Sequence, residues 1–196
     1  MDATAFFLLR HELAHGVRID ETLEGLTDDE LRRRPHPALN SITWLLWHIA
    51  RTEDMSVNRF VGDRSQVLDD EEWMPRLGIY RRDIGLGMTY DEVDDLSKRV
   101  NLGALRSYWG SVGRRTVDIV TALTPDDFDR VNEGPHVRRV IFDEGAIQGE
   151  HREGVLGHWS GMTRGYALAY MGLTHTFVHL GDMGIIRGLW GHPGDF

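Results

Sequence analysis

The fold of this chain is limited most strongly by four long stretches in which apolar residues recur at three- and four-residue steps. These stretches cover residues 2–25, 41–60, 89–123 and 163–190, and each ends close to a glycine or a proline. This spacing is typical of helices with one buried face, and glycine and proline are the residues that end them. Patterns typical of strands are nearly absent. The sequence therefore predicts an all-α protein built as a four-helix bundle.

Two long connections separate the predicted helices. Residues 62–89 have no sustained helical pattern, and a connection of this length is expected to cross over one end of a bundle. Residues 131–162 are rich in glycine and form a second connection that is expected to line a site. Within it, residues 137–142 are compatible with either a short strand or a helical turn.

Composition narrows the possible chemistry and the possible partners. The 196 residues include no cysteine, which excludes disulfides, thiolate ligands and a cysteine nucleophile, so any metal must be held by nitrogen and oxygen. The net charge of -9 repels phosphate backbones and makes nucleic acid an unfavourable partner. Length fits one domain over residues 1–196. Neither a signal peptide nor a membrane-spanning run is recognisable, which predicts a soluble cytoplasmic protein.

Two histidines in the fourth predicted helix form the first candidate site. His175 and His179 stand four residues apart, so their rings lie on the same face of a helix and can reach one point. Neutral imidazole is the commonest metal ligand in proteins, although both could equally be histidines of the core or its edge. By position, the best third ligand is His48, which flanks the apolar stripe of the second helix. Three nitrogens would leave a fourth position open, as a catalytic metal requires.

Three polar residues near these histidines have several possible roles. Asp182 continues the stripe of the fourth helix and could be a fourth ligand, an acceptor that orients His179, or a salt-bridge partner. Glu53 falls almost at the centre of an apolar stripe, where an ionised carboxylate needs a partner. It could orient a ligand, accept a proton or form a structural ion pair. Thr52 or Glu53 could assist proton movement.

A second histidine pair occurs in the first predicted helix. His11 to His15 spell the zinc-protease pattern His-Glu-x-x-His, but no strands precede them to form a substrate-binding edge. The downstream glycine and histidine of the extended motif are also missing. We therefore interpret the match as accidental, on an amphipathic helix. Its apolar residues at loosely helical spacing are Phe6, Leu9, Leu13, Val17 and Leu23. His11 or His15 could still border a pocket.

The second and fourth helices resemble the two signature helices of the DinB-like superfamily. The resemblance rests on SITWLLWHIARTED, which starts at Ser41, and on HTFVHLGDMGIIRGLWG, which starts at His175. It extends over nearly the whole chain, including LTDDEL from Leu26 and TPDDF from Thr124. The superfamily includes thiol-dependent S-transferases and the mycothiol-dependent maleylpyruvate isomerase.

This resemblance implies both an architecture and a site. The architecture is a bundle with an up-down-down-up course, usually dimeric, and the site is a divalent metal held by three histidines, which correspond here to His48, His175 and His179. All-imidazole ligation suits zinc or nickel, among others. The function implied is a metal-dependent transferase that uses a thiol such as mycothiol on small electrophiles. The alternatives are a non-catalytic, stress-associated metal-binding protein and a metal-dependent hydrolase of a small molecule.

Overall fold

The computed structural model of the chain describes residues 2–70 and 72–192, and within these ranges it is all-helical. The described residues form no strand and contain one isolated antiparallel bridge, between Val131 and Thr163. The predicted all-α class is thereby confirmed. The up-down-down-up course stays a prediction.

The first long helix (residues 3–23) begins at Asp2, whose carboxylate accepts a hydrogen bond from the backbone N–H of Ala5 at 2.8 Å. Of the five apolar residues at helical spacing, Phe6, Leu9 and Val17 have side chains that are more than half exposed, Leu13 is partly buried and Leu23 is buried. The buried face of the helix also includes Phe7, His11 and Ala14. A histidine therefore takes a core position in this helix. Its parts are Ala3–Glu12, the π-helical Leu13–Arg18 and Ile19–Leu23.

The second long helix (residues 42–61) lies at the centre of the molecule. It begins at Ser41, whose hydroxyl accepts from the backbone N–H of Trp44 at 3.0 Å. It consists of Ile42–Ser56 and a π-helical end, Val57–Val61. Every residue of Ile42–Ser56 is buried, whether apolar or charged.

The predicted third helix over residues 89–123 is divided into two helices, Tyr90–Arg99 and Leu102–Thr121. The chain leaves the helical conformation at Val100, where ψ is 134°. Asn101 then caps the next helix, and its side chain accepts from the backbone N–H of Ala104 at 3.0 Å. Asparagine offers the backbone this alternative to a continued helix, so the break lies where the cap forms.

The fourth long helix (residues 164–189) agrees closely with the predicted range of 163–190. It is composed of Arg164–Ala167, the π-helical Leu168–Thr174 and His175–Leu189.

Residues 137–142, for which the sequence allows either a strand or a helical turn, are helical and lie within Gly134–Arg138 and Arg139–Asp143. The remaining short helices are Asp28–Arg32, Val67–Asp69, Trp73–Leu77, Pro125–Phe128, Gly149–His151 and Arg152–Trp159.

The four long helices share two apolar clusters. The second helix packs on Leu102–Thr121 and on the fourth helix, and the first helix also packs on both. One cluster surrounds Trp47 and Met183, and the other surrounds Phe60 and Leu168. Polar side chains of the second helix consequently face elements that are distant in sequence.

One set of buried polar contacts joins the second helix to the connection that follows it. The Asp54 carboxylate accepts from the Arg51 guanidinium at 2.8 Å and from the Tyr108 hydroxyl at 2.5 Å. It also accepts from the backbone N–H groups of Val67 and Leu68 at 2.7 and 3.0 Å. Both charged side chains are fully buried. Asp54 therefore compensates a buried cation and anchors the start of the long connection.

No helix in the described part of the chain is long and apolar enough to cross a membrane. The structure contains a single chain, so the predicted homodimer stays a prediction, as does the predicted cytoplasmic location.

Replacing Asp54 tests this network. We expect Asp54→Ala to lower the free energy of unfolding by about 3–5 kcal/mol, because it leaves the buried Arg51 guanidinium without its counter-charge. Urea denaturation followed by circular dichroism measures the change. The matched control is Asp95→Ala, since Asp95 pairs with Arg99 at the surface and its loss should cost about 0.5 kcal/mol or less. Equal losses in the two variants would contradict the assignment.

Candidate metal centre

His48 is held by stacking on one face of its ring and by a hydrogen bond from one of its nitrogens. The side chain is buried and stacks on Trp44, with ring centroids 4.7 Å apart. Its Nδ1 makes a short hydrogen bond to the backbone carbonyl of Ile84. A carbonyl can only accept, so Nδ1 carries the hydrogen and Nε2 carries a lone pair. That lone pair points toward the fourth helix.

His175 and His179 meet His48 from the fourth helix. Nε2 of His175 lies 3.0 Å from Nε2 of His48. Nδ1 of His179 is 2.8 Å from a carboxylate oxygen of Asp182. A carboxylate also accepts, so this contact leaves Nε2 of His179 with a free lone pair. Of the three roles open to Asp182, the structure therefore shows the acceptor that orients His179.

The spacing of the three imidazoles suits a metal ion. One ring nitrogen from each lies within 4.8 Å of the other two. Two nitrogens bound to a tetrahedral zinc ion at its usual bond length are about 3.3 Å apart, close to the 3.0 Å between His48 and His175. The structure thus brings together the three histidines that the sequence singled out.

Burial keeps two of these rings, His48 and His175, in the form that binds metals. Burial lowers the pKa of His48 to about 4. Burial, followed by the neighbouring rings of His48 and His179, lowers the pKa of His175 to about 2. Both imidazoles are therefore neutral near pH 7, and neutral imidazole is the ligand form.

Thr52 and Glu53, which are adjacent in the second helix, have different surroundings. Thr52 lies one helical turn beyond His48, and its buried hydroxyl has no hydrogen-bond partner among the described residues. Glu53 turns away from the three histidines and contacts the first helix. Its predicted role in proton movement at the histidine centre stays a prediction that no contact supports.

Glu53 forms a second cluster with the two histidines of the first helix. Its two carboxylate oxygens lie 2.8 Å from Nε2 of His11 and 2.8 Å from Nε2 of His15. The hydroxyl of Thr116 donates to the same carboxylate at 2.7 Å. Burial alone would raise the pKa of Glu53, but the two imidazoles outweigh it and hold that pKa well below its usual range. Burial lowers the pKa of His15.

The sequence alone does not predict this second cluster, although it contains both signals. His11 and His15 match a motif whose structural context is missing, and Glu53 is a carboxylate on an apolar face. The partnership could not be found because it joins residues that are about 40 positions apart along the chain. It becomes evident once His11 is known to take a core position.

The fold and the three-histidine centre define an all-helical protein whose candidate metal ligands come from two helices that are distant in sequence. The chain belongs to the DinB superfamily, whose family model matches residues 13–183. This confirms the family predicted from the second and fourth helices.

A crystal structure of a conserved protein from Enterococcus faecalis has a similar fold. The two sequences are 20% identical. The structural match covers 96% of this chain and 97% of the Enterococcus faecalis chain, with a TM-score of 0.72. At this identity the likeness shows the fold alone. None of the curated proteins matches the chain.

The low pKa of His48 predicts a pH dependence of stability in the metal-free protein. Unfolding returns His48 to its ordinary pKa near 6.5, so the unfolded chain takes up a proton on acidification while the folded chain does not. Stability that is present above pH 6.5 is therefore lost as the pH falls toward 4. From pH 7.5 to 5.5, this residue should lower the free energy of unfolding by about 1.4 kcal/mol.

Urea denaturation of chelator-treated wild type and His48→Gln at both pH values measures this effect. The decrease should be smaller in His48→Gln by about the amount given above. His158→Gln is the control, because His158 is exposed and should leave the decrease unchanged. A decrease that is the same in wild type and His48→Gln would show that burial does not disfavour the charged form of this imidazole.

Proposed function

We propose that this protein is a divalent-metal-dependent enzyme that transfers a low-molecular-weight thiol of the mycothiol type to small electrophiles. The observation that carries the proposal is the convergence of His48, His175 and His179 through ring nitrogens within 4.8 Å of one another. Zinc or nickel suits three imidazole ligands. The sequence resemblance to thiol-dependent transferases supports the choice of reaction.

An open coordination position favours catalysis over simple metal storage. The two carboxylates nearest in sequence to the ligands are engaged elsewhere, Asp182 with His179 and Glu53 with His11 and His15. Neither is placed as a fourth ligand. A site with three protein ligands keeps a position for water or substrate, whereas structural sites are closed by four.

The protein's own contribution is to hold the imidazoles in place and in the right tautomer. The Ile84 carbonyl fixes His48, and the Asp182 carboxylate fixes His179, so both present lone pairs without rearrangement. When bound, a divalent cation would act as a Lewis acid that lowers the pKa of a thiol reaching the open position. His48 is buried and His175 is partly buried, so both rings have little contact with water.

Thr52 is the residue that we propose to position the incoming thiol or its proton. Its hydroxyl is buried and unpartnered among the described residues, one turn beyond His48. A buried hydroxyl without a partner costs free energy, which a bound group that accepts or donates a hydrogen bond would recover. The chain has no cysteine, so the thiol has to come from solution.

A conjugation assay tests the proposal. Mycothiol and monochlorobimane are offered to the zinc- or nickel-loaded protein, and formation of the sulfur–carbon bond with release of chloride is followed by fluorescence. We expect the metal-loaded wild type to exceed the uncatalysed rate by at least tenfold. His175→Ala and the chelator-treated wild type should give only the uncatalysed rate, because the thiol then has no activating centre.

His158→Ala serves as the matched control, since it removes an exposed histidine and should keep the wild-type rate. If metal-loaded and metal-free protein give the same rate, the transferase proposal fails. A cobalt-substituted sample distinguishes the alternatives: a spectrum that changes on addition of mycothiol shows that the thiol reaches the metal, and an unresponsive spectrum favours a non-catalytic metal-binding protein.

A further inference from the structure

We propose that His11, His15 and Glu53 form a second divalent-cation site, separate from the three-histidine centre. The first helix supplies both imidazoles and the second helix supplies the carboxylate. The family match and the proposed thiol transfer leave these residues without a role, and the proposal does not depend on that function.

The three side chains converge closely enough to chelate one ion. Both Nε2 atoms donate to an oxygen of the same carboxylate at 2.8 Å. A cation that replaces these two hydrogens would be held by candidate ligand atoms that lie within 4.8 Å of one another. The rings of His11 and His15 stack with centroids 4.1 Å apart, and His15 stacks in turn on Trp109 at 3.6 Å. Packing therefore fixes both imidazoles with Nε2 directed at Glu53.

A glycine on the neighbouring helix leaves room for the ring of His15. Gly113 faces the ring, and a Cβ at that position would collide with Nδ1 of His15. Thr116 lies one turn further along the same helix and donates to the Glu53 carboxylate. Such a donor is the kind of outer partner that orients a carboxylate ligand.

The buried charge of the Glu53 carboxylate favours the binding of a cation. The Glu53 side chain is fully buried, and its ion pairs among the described residues are with the two histidines and not with an arginine or a lysine. A fully buried carboxylate that has no arginine or lysine among these partners lacks a permanent counter-charge, which is costly at low dielectric. A divalent cation held between the three side chains would supply the missing positive charge.

An entry path connects the cluster to solvent. A surface groove of about 560 Å³ lies over it between the first helix and Leu102–Thr121, and both histidines line this groove. A cation can therefore reach the cluster without unfolding of the bundle, and water from the groove can complete its coordination.

The two centres lie on different sides of the second helix. His48 faces the fourth helix, whereas Glu53 faces the first helix and Thr116. Five residues separate them, which corresponds to a rise of about 7.5 Å along the axis. This rise exceeds the spacing of about 4 Å in paired catalytic metals, so we assign two independent sites.

The donor set restricts the cation. Two imidazoles and one carboxylate form the ligand set of several zinc enzymes, and the same set binds iron(II) with positions left open. Calcium and magnesium prefer all-oxygen surroundings. The predicted ligand is therefore a divalent first-row transition metal, and Zn²⁺ is the probe for the test.

The test measures zinc bound per chain after dialysis, by mass spectrometry of the metal, in the full-length protein. We expect two equivalents in wild type, one in His15→Ala, and one in the double variant His175→Ala/His179→Ala. Adding His15→Ala to that double variant should bring the value to zero. His158→Ala is the matched control and should keep both equivalents.

A second measurement distinguishes loss of the site from poor folding of a variant. Glu53→Gln keeps the size of the side chain but removes the charge, and Co²⁺ titration of this variant in the His175→Ala/His179→Ala background should show at least tenfold weaker binding than the background alone. Circular dichroism checks the fold of each sample. The same zinc content in wild type and His15→Ala, or no zinc in the double variant His175→Ala/His179→Ala, would overturn the proposal.

Discussion

The structure depends on the complete burial of Ile42–Ser56, the main part of the second long helix, which carries charged and polar side chains as well as apolar ones. Buried polar groups that lack partners cost several kcal/mol, so each such side chain needs a partner on a neighbouring element. Arg51 and Asp54 find theirs in each other, in Tyr108 and in the backbone of Val67 and Leu68. These contacts tie the helix to elements on either side of it.

The same requirement produces both histidine clusters. His48 turns toward the fourth helix, where His175 and His179 lie, and Glu53 turns toward His11 and His15 on the first helix. Burial raises the cost of charge on an imidazole and so keeps His48 neutral, which is the state that binds a metal ion. The features that stabilise the core therefore also prepare the candidate metal centre.

Much of this could be predicted from the sequence because helical periodicity and ligand spacing are local. The predicted second and fourth helices agree with the structure to within about two residues. His175 and His179 share one face of the fourth helix, and His48 flanks the apolar stripe of the second, so all three can be predicted from spacing. The break at Val100 was missed, since the cap at Asn101 competes with a continuous helical pattern. The partners of Glu53 were also missed, because they depend on which face of the first helix is buried.

The measurement that tests the central claim most directly is X-ray absorption at the zinc edge, on protein that carries His15→Ala and one equivalent of Zn²⁺. The account predicts three imidazole nitrogens at about 2.0 Å and one further light ligand from solvent. Failure to retain zinc, or a shell with fewer than three imidazoles, would contradict the assignment of His48, His175 and His179 as a metal centre.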